Sequence, residues 1–165
     1  MKTAQFKNQK AFTLIELLVV IGILAVLLAI TLIAINPARQ FSQANNTKRS
    51  SDLNAILNAV GQYAADNQGQ LPPGLTAAAC SELTPCAITG VVAAGNIDIC
   101  PALVTDYIAA MPTDPLSTAG GDPVATCNAT YVTGYTIYVG GNGRITVSAP
   151  TTEIPPATAV LSVTR

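Results

Sequence analysis

An uncharged apolar segment, residues 17–35, constrains the fold of this chain more than any other feature. Only Gly22 and Thr31 among these 19 residues are not clearly apolar. As a helix the segment would be about 29 Å long, close to the thickness of the hydrocarbon core of a bilayer. The apolar region of a removable signal peptide is shorter, roughly 7–15 residues. The sequence therefore predicts a membrane-spanning helix that the chain retains.

Basic residues in front of this segment predict its orientation. Lys2, Lys7 and Lys10 precede it, and this short leader contains no acidic residue. Because positively charged flanks stay in the cytoplasm, we expect the N-terminus inside and the rest of the chain outside.

The four cysteines all lie on the predicted outer side, which agrees with an oxidising compartment. They are Cys80, Cys86, Cys100 and Cys127. Four cysteines allow three pairings, and nearness in sequence favours 80–86 with 100–127, while the other two pairings stay open. The sequence has no histidine and no C-x-x-C spacing, so we do not expect a zinc site.

A polar stretch with helical periodicity follows the apolar segment. Arg49 and Asp52 are expected on faces other than its apolar stripe. Pro37 is expected to bend the helix without ending it, and Gly69 to stop it, which gives one nearly continuous helix over residues 12–67. The apolar stripe, with three- and four-residue spacing, consists of Phe41, Ala44, Leu53, Ile56, Leu57, Val60, Tyr63 and Ala64.

The remaining residues predict a small antiparallel sheet. Residues 131–139 and 144–148 are β-branched and aromatic runs on either side of G-G-N-G, which is a hairpin signal. In the first run the odd-numbered residues are expected on one face. Residues 75–100 predict loops with one or two short strands, residues 102–111 a short helix, and residues 159–163 an edge strand.

The residues at the start of the apolar segment resemble a known export signal. A basic leader and a small residue precede F-T-L-I-E, residues 12–16, and then the long apolar helix follows. This arrangement resembles the class III signal of type IV prepilins and pseudopilins, closely over residues 10–37 and only in outline beyond them.

The resemblance implies that the chain is processed. In that family a membrane-embedded peptidase cuts before the phenylalanine and methylates the new amino group, which places the cut between Ala11 and Phe12. Ala11 stands where the family usually has glycine. Cleavage makes Glu16 the fifth residue of the mature chain.

Glu16 calls for a physical explanation, because a carboxylate at the centre of a bilayer costs about 3 kcal/mol or more. In a filament of parallel helices, the protonated amine of Phe12 on one subunit could approach Glu16 of a neighbour. That pairing offsets part of the desolvation cost and fixes the axial register. The alternative is a carboxylate at the membrane interface of an ordinary anchor.

These observations predict an α+β, pilin-like fold in four segments. They are a cleaved leader (1–11), a transmembrane and filament-core helix (12–36) that can bend at Gly22 and Pro37, its amphipathic continuation (37–69), and an extracytoplasmic head (70–165) with an antiparallel sheet and disulfides.

The function expected from the resemblance is that of a structural subunit in a type IV pilus-like surface filament that serves adhesion, motility or DNA uptake. The precursor would lie in the cytoplasmic membrane, and the mature chain in an extracellular filament. Implied partners are further copies of the chain, other pilins, the prepilin peptidase, an inner-membrane platform protein and an assembly ATPase. The alternatives are a pseudopilin of a type II secretion system and a single-pass ectodomain that does not polymerise.

Other activities have little support in the sequence. No catalytic arrangement is visible, so we expect neither an enzyme nor a cofactor. Asp114, Ser117 and Asp122 lie where some major pseudopilins bind calcium, but their spacing is better explained by turn formation, and no metal is expected. Past Gly69 the chain has two basic and six acidic residues, so direct binding of nucleic acid is not expected.

Overall fold

The fold is α+β, as the sequence predicts. The computed structural model describes residues 12–117, 120–128, 130–153 and 160–165, so the predicted leader lies outside the described residues. The chain forms two compact units that divide between Gln40 and Phe41. In chain order the elements are α1 (Leu14–Ile35), α2 (Pro37–Asp66), β1 (Cys86–Thr89), β2 (Asn96–Ile97), α3 (Cys100–Leu103), β3 (Val132–Val139), β4 (Ile145–Ala149) and β5 (Leu161–Thr164).

Helix α1 carries large apolar side chains on all of its faces, and the described residues bury none of these faces. The large apolar side chains between Leu14 and Ile33 are all about half exposed or more, with Val19 the least exposed at 49 %. By length and composition, Leu14–Ala34 could cross a membrane, with a mean hydropathy of 3.2. A helix of this kind is stable in lipid or among other apolar helices, so α1 requires surroundings that the chain itself does not supply.

The long helix is interrupted at Asn36, although we expected it to continue through a bend. Asn36 adopts a left-handed backbone conformation (φ 46°, ψ 81°), and α2 begins at the next residue, Pro37. The proline ring disfavours helical backbone at the residue before it, and asparagine tolerates the left-handed region. Pro37 therefore starts a new helix, while bending at Gly22 or Pro37 in an assembled filament stays a prediction.

Helix α2 packs one face on the sheet of the second unit. Leu53, Ile56, Leu57 and Val60 are fully buried, which confirms the C-terminal part of the predicted stripe. The stripe does not extend to Phe41, which is 71 % exposed. The helix ends at Asp66, and the left-handed residues Gln68 and Gly69 turn the chain away.

The sheet has five strands in the order β2-β1-β3-β4-β5. All neighbouring pairs are antiparallel except β1 and β2, which are parallel. The predicted hairpin is present as β3 and β4, with Val139 opposite Ile145, and the predicted C-terminal edge strand is β5. The odd-numbered residues from Tyr131 to Val139 are all buried, so they share one face of β3 as predicted, and that face is the inward one.

Both disulfides are present with the pairing that nearness in sequence favoured. They join Cys80 to Cys86 and Cys100 to Cys127. The predicted helix over residues 102–111 was wrong, because α3 ends at Leu103. Thr105 has a left-handed backbone (φ 81°) and its N–H donates to the Ile108 carbonyl, which makes a tight turn in place of further helix.

Strand β3 contains a bulge that the sequence did not reveal. Its pairing with β1 shifts between Ala87 and Thr89, and opposite this shift Gly134 has a positive φ of 82°. The neighbouring Thr133 carbonyl accepts a hydrogen bond from the Asp114 N–H at 2.7 Å. The bulge therefore opens β3 to the loop that carries Asp114.

We predict that Gly134→Ala lowers the free energy of unfolding by about 1–3 kcal/mol. The new Cβ would lie 2.8 Å from the Cβ of Asp114, on a backbone that alanine rarely adopts. Gly141→Ala is the matched control, because a Cβ there meets no atom within 4 Å. Urea unfolding of the full chain in detergent measures the free energy of unfolding of the two variants. Equal values for the two would contradict the prediction.

Candidate functional site

The start of α1 is closed by a reciprocal pair of hydrogen bonds between Thr13 and Glu16. Thr13 is the N-cap, and its hydroxyl oxygen accepts from the Glu16 N–H at 3.3 Å. The Glu16 carboxylate in turn accepts from the N–H and the hydroxyl of Thr13, both at 2.8 Å. This capping box satisfies N–H groups that a helix terminus otherwise leaves unpaired, and it places a negative charge at the positive end of the helix dipole.

Only one oxygen of the Glu16 carboxylate takes part in the cap. Both hydrogen bonds from Thr13 end on Oε2. Among the described residues, no group donates to Oε1, and Phe12 beside it is 87 % exposed. The carboxylate can therefore cap its own helix and still accept a hydrogen bond from a group outside the chain.

Ala11 is the other residue predicted at the cleavage position, and Gly22 is a predicted bending position. Ala11 lies outside the described residues, so its side of the predicted cleavage position is not observed. Helix α1 passes through Gly22 without interruption, and an added Cβ there would meet no atom within 4 Å. Gly22 therefore offers an open surface on α1 within this chain.

In the second unit, the most deeply buried charge is Arg49 of α2, which was wrongly expected on another face of the helix. Its side chain is 0 % exposed and its guanidinium binds the Asp114 carboxylate with two bonds, Nε to Oδ2 at 2.6 Å and Nη2 to Oδ1 at 3.1 Å. Such planar, two-point pairing is the geometry in which arginine binds a carboxylate most strongly. Arg49 therefore fastens α2 to the loop that follows residue 111.

The rest of the Arg49 guanidinium holds two further acceptors. Nη1 donates to Asn46 Oδ1 at 2.8 Å and to Glu153 Oε2 at 3.0 Å. Glu153 lies in the segment after β4, so one cation joins α2, the Asp114 loop and the C-terminal part of the chain. Removing one partner of a buried pair of this kind typically costs about 3–5 kcal/mol.

Asp114 is ionised because its hydrogen bonds outweigh the cost of its burial. Burial opposes the charged form, but the Arg49 guanidinium and the Leu116 N–H both donate to the carboxylate and lower its pKa. The pairing also raises the pKa of Arg49. The two charges therefore stabilise each other in the folded chain.

Asp52 lies one turn from Arg49, and its pKa is shifted in the opposite direction to that of Asp114. Burial raises its pKa, and a hydrogen bond at 2.8 Å from the Tyr135 hydroxyl only partly opposes this effect. Burial and the same hydrogen bond raise the pKa of Tyr135. This contact joins α2 directly to β3.

The loop that was considered for calcium is held by cations of the chain itself. Both Asp114 oxygens accept from Arg49, and Lys48 Nζ donates to the Gly121 carbonyl at 2.9 Å. Asp122 is exposed, and the Ser117 hydroxyl is buried without a hydrogen-bond partner among the described residues. The described ranges contain no group of three or more acidic, cysteine or histidine side chains that could hold a metal ion.

The comparisons with known proteins identify the N-terminal segment. A family model described as the prokaryotic N-terminal methylation motif matches residues 6–32, which include Phe12, the capping box and most of α1. This segment is a class III signal of the type IV pilin and pseudopilin kind. No curated protein and no solved structure matches the chain. The motif and α1 together support a membrane-anchored precursor.

The two aspartates predict a specific pH dependence. Asp114, with its lowered pKa, gives stability that is present above the ordinary aspartate pKa of about 3.9 and is lost as the pH falls further. Asp52 has a raised pKa, so its protonation adds to the free energy of unfolding as the pH falls. Between pH 6 and pH 3, Asp114→Asn should therefore lose less of its unfolding free energy than the wild type, and Asp52→Asn should lose more.

Urea unfolding of the full chain at a series of pH values measures how the free energy of unfolding of each variant changes with pH. Asp106→Asn, at an exposed position, is the control and should follow the wild type. An Asp114→Asn variant that loses as much stability in acid as the wild type would show that the Arg49 pair does not set this dependence.

Proposed function

We propose that the chain is a structural subunit of a type IV pilus-like surface filament. Its class III signal would be cut between Ala11 and Phe12, and Phe12 would become the methylated N-terminus. The observation that carries the proposal is α1, most of which lies within this signal; it exposes apolar side chains on every face and contains a single carboxylate, Glu16. Packed helices of many copies would supply the apolar surroundings that one copy lacks.

Glu16 gives this assembly a defined register. Its Oε2 caps its own helix, while Oε1 can accept a hydrogen bond from the protonated amine of Phe12 on a neighbouring subunit. In an apolar bundle an amine and a carboxylate are much less costly together than apart, because each offsets part of the desolvation of the other. A subunit that slid along the filament axis would leave both charges unmatched.

The pathway expected for such a subunit begins in the membrane. The precursor would span the cytoplasmic membrane with its N-terminus inside, since the leader is basic and α1 is long enough to cross. A prepilin peptidase would process it, and a platform protein and a cytoplasmic ATPase would drive its extraction into the filament. Further copies and other pilins would complete the structure.

A pseudopilin of a type II secretion system is the nearest alternative, since the methylation motif is shared by both kinds of protein. Some major pseudopilins bind calcium in the head, and here Arg49 and Lys48 hold the corresponding loop from within the chain. That observation favours a pilus subunit. A single-pass ectodomain that does not polymerise is the second alternative, and the variants below separate it from both.

Glu16→Gln is the sharpest test of the assembly role. Glutamine at this position keeps the capping box but removes the negative charge. We therefore expect α1 to form and the precursor to accumulate normally in the membrane, while the yield of sheared filaments falls at least about tenfold, as expected when a buried amine loses its charged partner. Immunoblots of the membrane and sheared fractions measure both quantities.

Thr13→Val is the matched control, since it removes the two hydrogen bonds of the Thr13 hydroxyl from the cap, which Glu16→Gln keeps, and leaves the charge of Glu16 in place. It should retain far more filament than Glu16→Gln. If Glu16→Gln assembled as well as the wild type and Thr13→Val did not, Glu16 would serve only to cap its helix. Normal membrane levels with no filament in any strain would favour the non-polymerising ectodomain.

A further inference from the structure

A polar groove of about 320 Å³ lies on the sheet of the second unit, away from the Arg49 cluster. Three separate parts of the chain form it: the loop closed by the first disulfide, the turn between β3 and β4, and one cross-strand row of the sheet. Its lining side chains are Glu82, Tyr138, Asn142, Arg144, Thr146 and Thr164.

The floor of the groove is a row of hydroxyl-bearing residues. Tyr138 is opposite Thr146 and Thr146 is opposite Thr164 in the register of β3, β4 and β5. The hydroxyls of Thr146 and Thr164 are 2.8 Å apart and bonded to each other. Because side chains alternate along a strand, Tyr138 points away from the buried Ile137 and Val139. The floor thus presents the ring of Tyr138 and the exposed Thr164, whose hydroxyl is bonded to that of the buried Thr146.

One wall is fixed by the disulfide between Cys80 and Cys86. Within this short loop, Ser81 and Thr84 exchange backbone hydrogen bonds at 3.2 and 3.1 Å. The Val139 N–H donates to the Cys80 carbonyl at 2.9 Å, which attaches the loop to the end of β3. Glu82 is therefore carried on a loop that is already ordered without a ligand.

The opposite wall is the hairpin turn. The Gly140 N–H donates to the Arg144 carbonyl at 2.8 Å, and the Arg144 N–H donates to Asn142 Oδ1 at 3.1 Å. These bonds use the amide oxygen of Asn142 and leave its amino group available. Within the described part of the chain, no ion pair joins Glu82 to Arg144, so both charged groups are open to an outside partner.

The groups that converge here suit a ligand rich in hydroxyls. Glu82 only accepts hydrogen bonds, Arg144 only donates them, and Asn142 and the threonine hydroxyls complete a mixed set. Neighbouring hydroxyls of a sugar both donate and accept, and the apolar face of a sugar ring can lie on Tyr138. We propose that this groove binds an uncharged oligosaccharide, whether or not the chain polymerises.

Charge and geometry argue against the other occupants. The two charges of the groove cancel, and the chain past Gly69 has six acidic residues against two basic ones, which disfavours a polyanion. A peptide bound by strand addition pairs with the edge of a sheet through its backbone. The groove instead lies on a sheet face and presents side chains.

Binding of the full chain to an array of immobilised neutral oligosaccharides tests the proposal. The protein is kept in a polyoxyethylene detergent, which has no sugar headgroup, and a panel of tripeptides is assayed alongside. The affinity for the strongest saccharide ligand is then measured by titration calorimetry. Glu82→Gln and Arg144→Ala should each weaken it about tenfold or more, the loss expected for a hydrogen bond to a charged group, and Tyr138→Ala should weaken it at least as much.

Leu83→Ala is the matched control, because Leu83 neighbours Glu82, is 94 % exposed and does not line the groove. It should bind like the wild type, and all variants should unfold at the wild-type temperature with both disulfides intact. Three results would overturn the proposal: no saccharide bound at millimolar concentration, tripeptides bound in preference, or saccharide binding that Glu82→Gln and Arg144→Ala leave unchanged.

Discussion

The need to cover α1 with apolar material is the constraint on which the rest of the account depends. The described residues do not bury this helix, which carries large apolar side chains on every face. Two surroundings meet that need: a lipid bilayer, and a bundle of identical helices. A carboxylate is expensive in the first, whereas in the second it can meet an amine. Under the proposed function, Glu16 would favour the bundle as the final state, and the membrane would be an intermediate one.

In the second unit, the long helix α2 has to be held against a small sheet. Apolar packing of Leu53, Ile56 and Val60 supplies one part of that attachment. The other part is polar and directional, because Arg49 reaches the Asp114 loop and the segment containing Glu153. The bulge at Gly134 is what lets that loop approach β3. A buried cation of the chain therefore holds this loop and the segment containing Glu153 on α2.

Much of the fold follows from local patterns in the sequence, because those patterns reflect local physics. The apolar run, the G-G-N-G turn and the alternation in β3 each predict a single element, and the structure contains them. The break at Asn36 depends on a choice between bending and restarting at Pro37, which periodicity cannot decide. Charge alone predicts an exposed Arg49, but this residue lies four residues before Leu53 and so continues the buried stripe. Its partners, 65 and 104 residues away, have no local signal.

The N-terminal residue of the assembled subunit decides whether Glu16 can pair with a neighbouring subunit. The pairing of Glu16 with a neighbour requires a free amine at Phe12, and this amine exists only after the leader is removed. Mass spectrometry of sheared surface filaments should therefore give a chain that begins at methylated Phe12. Filaments built from chains that still carry residues 1–11 would contradict the account, because no amine would then lie within reach of Glu16.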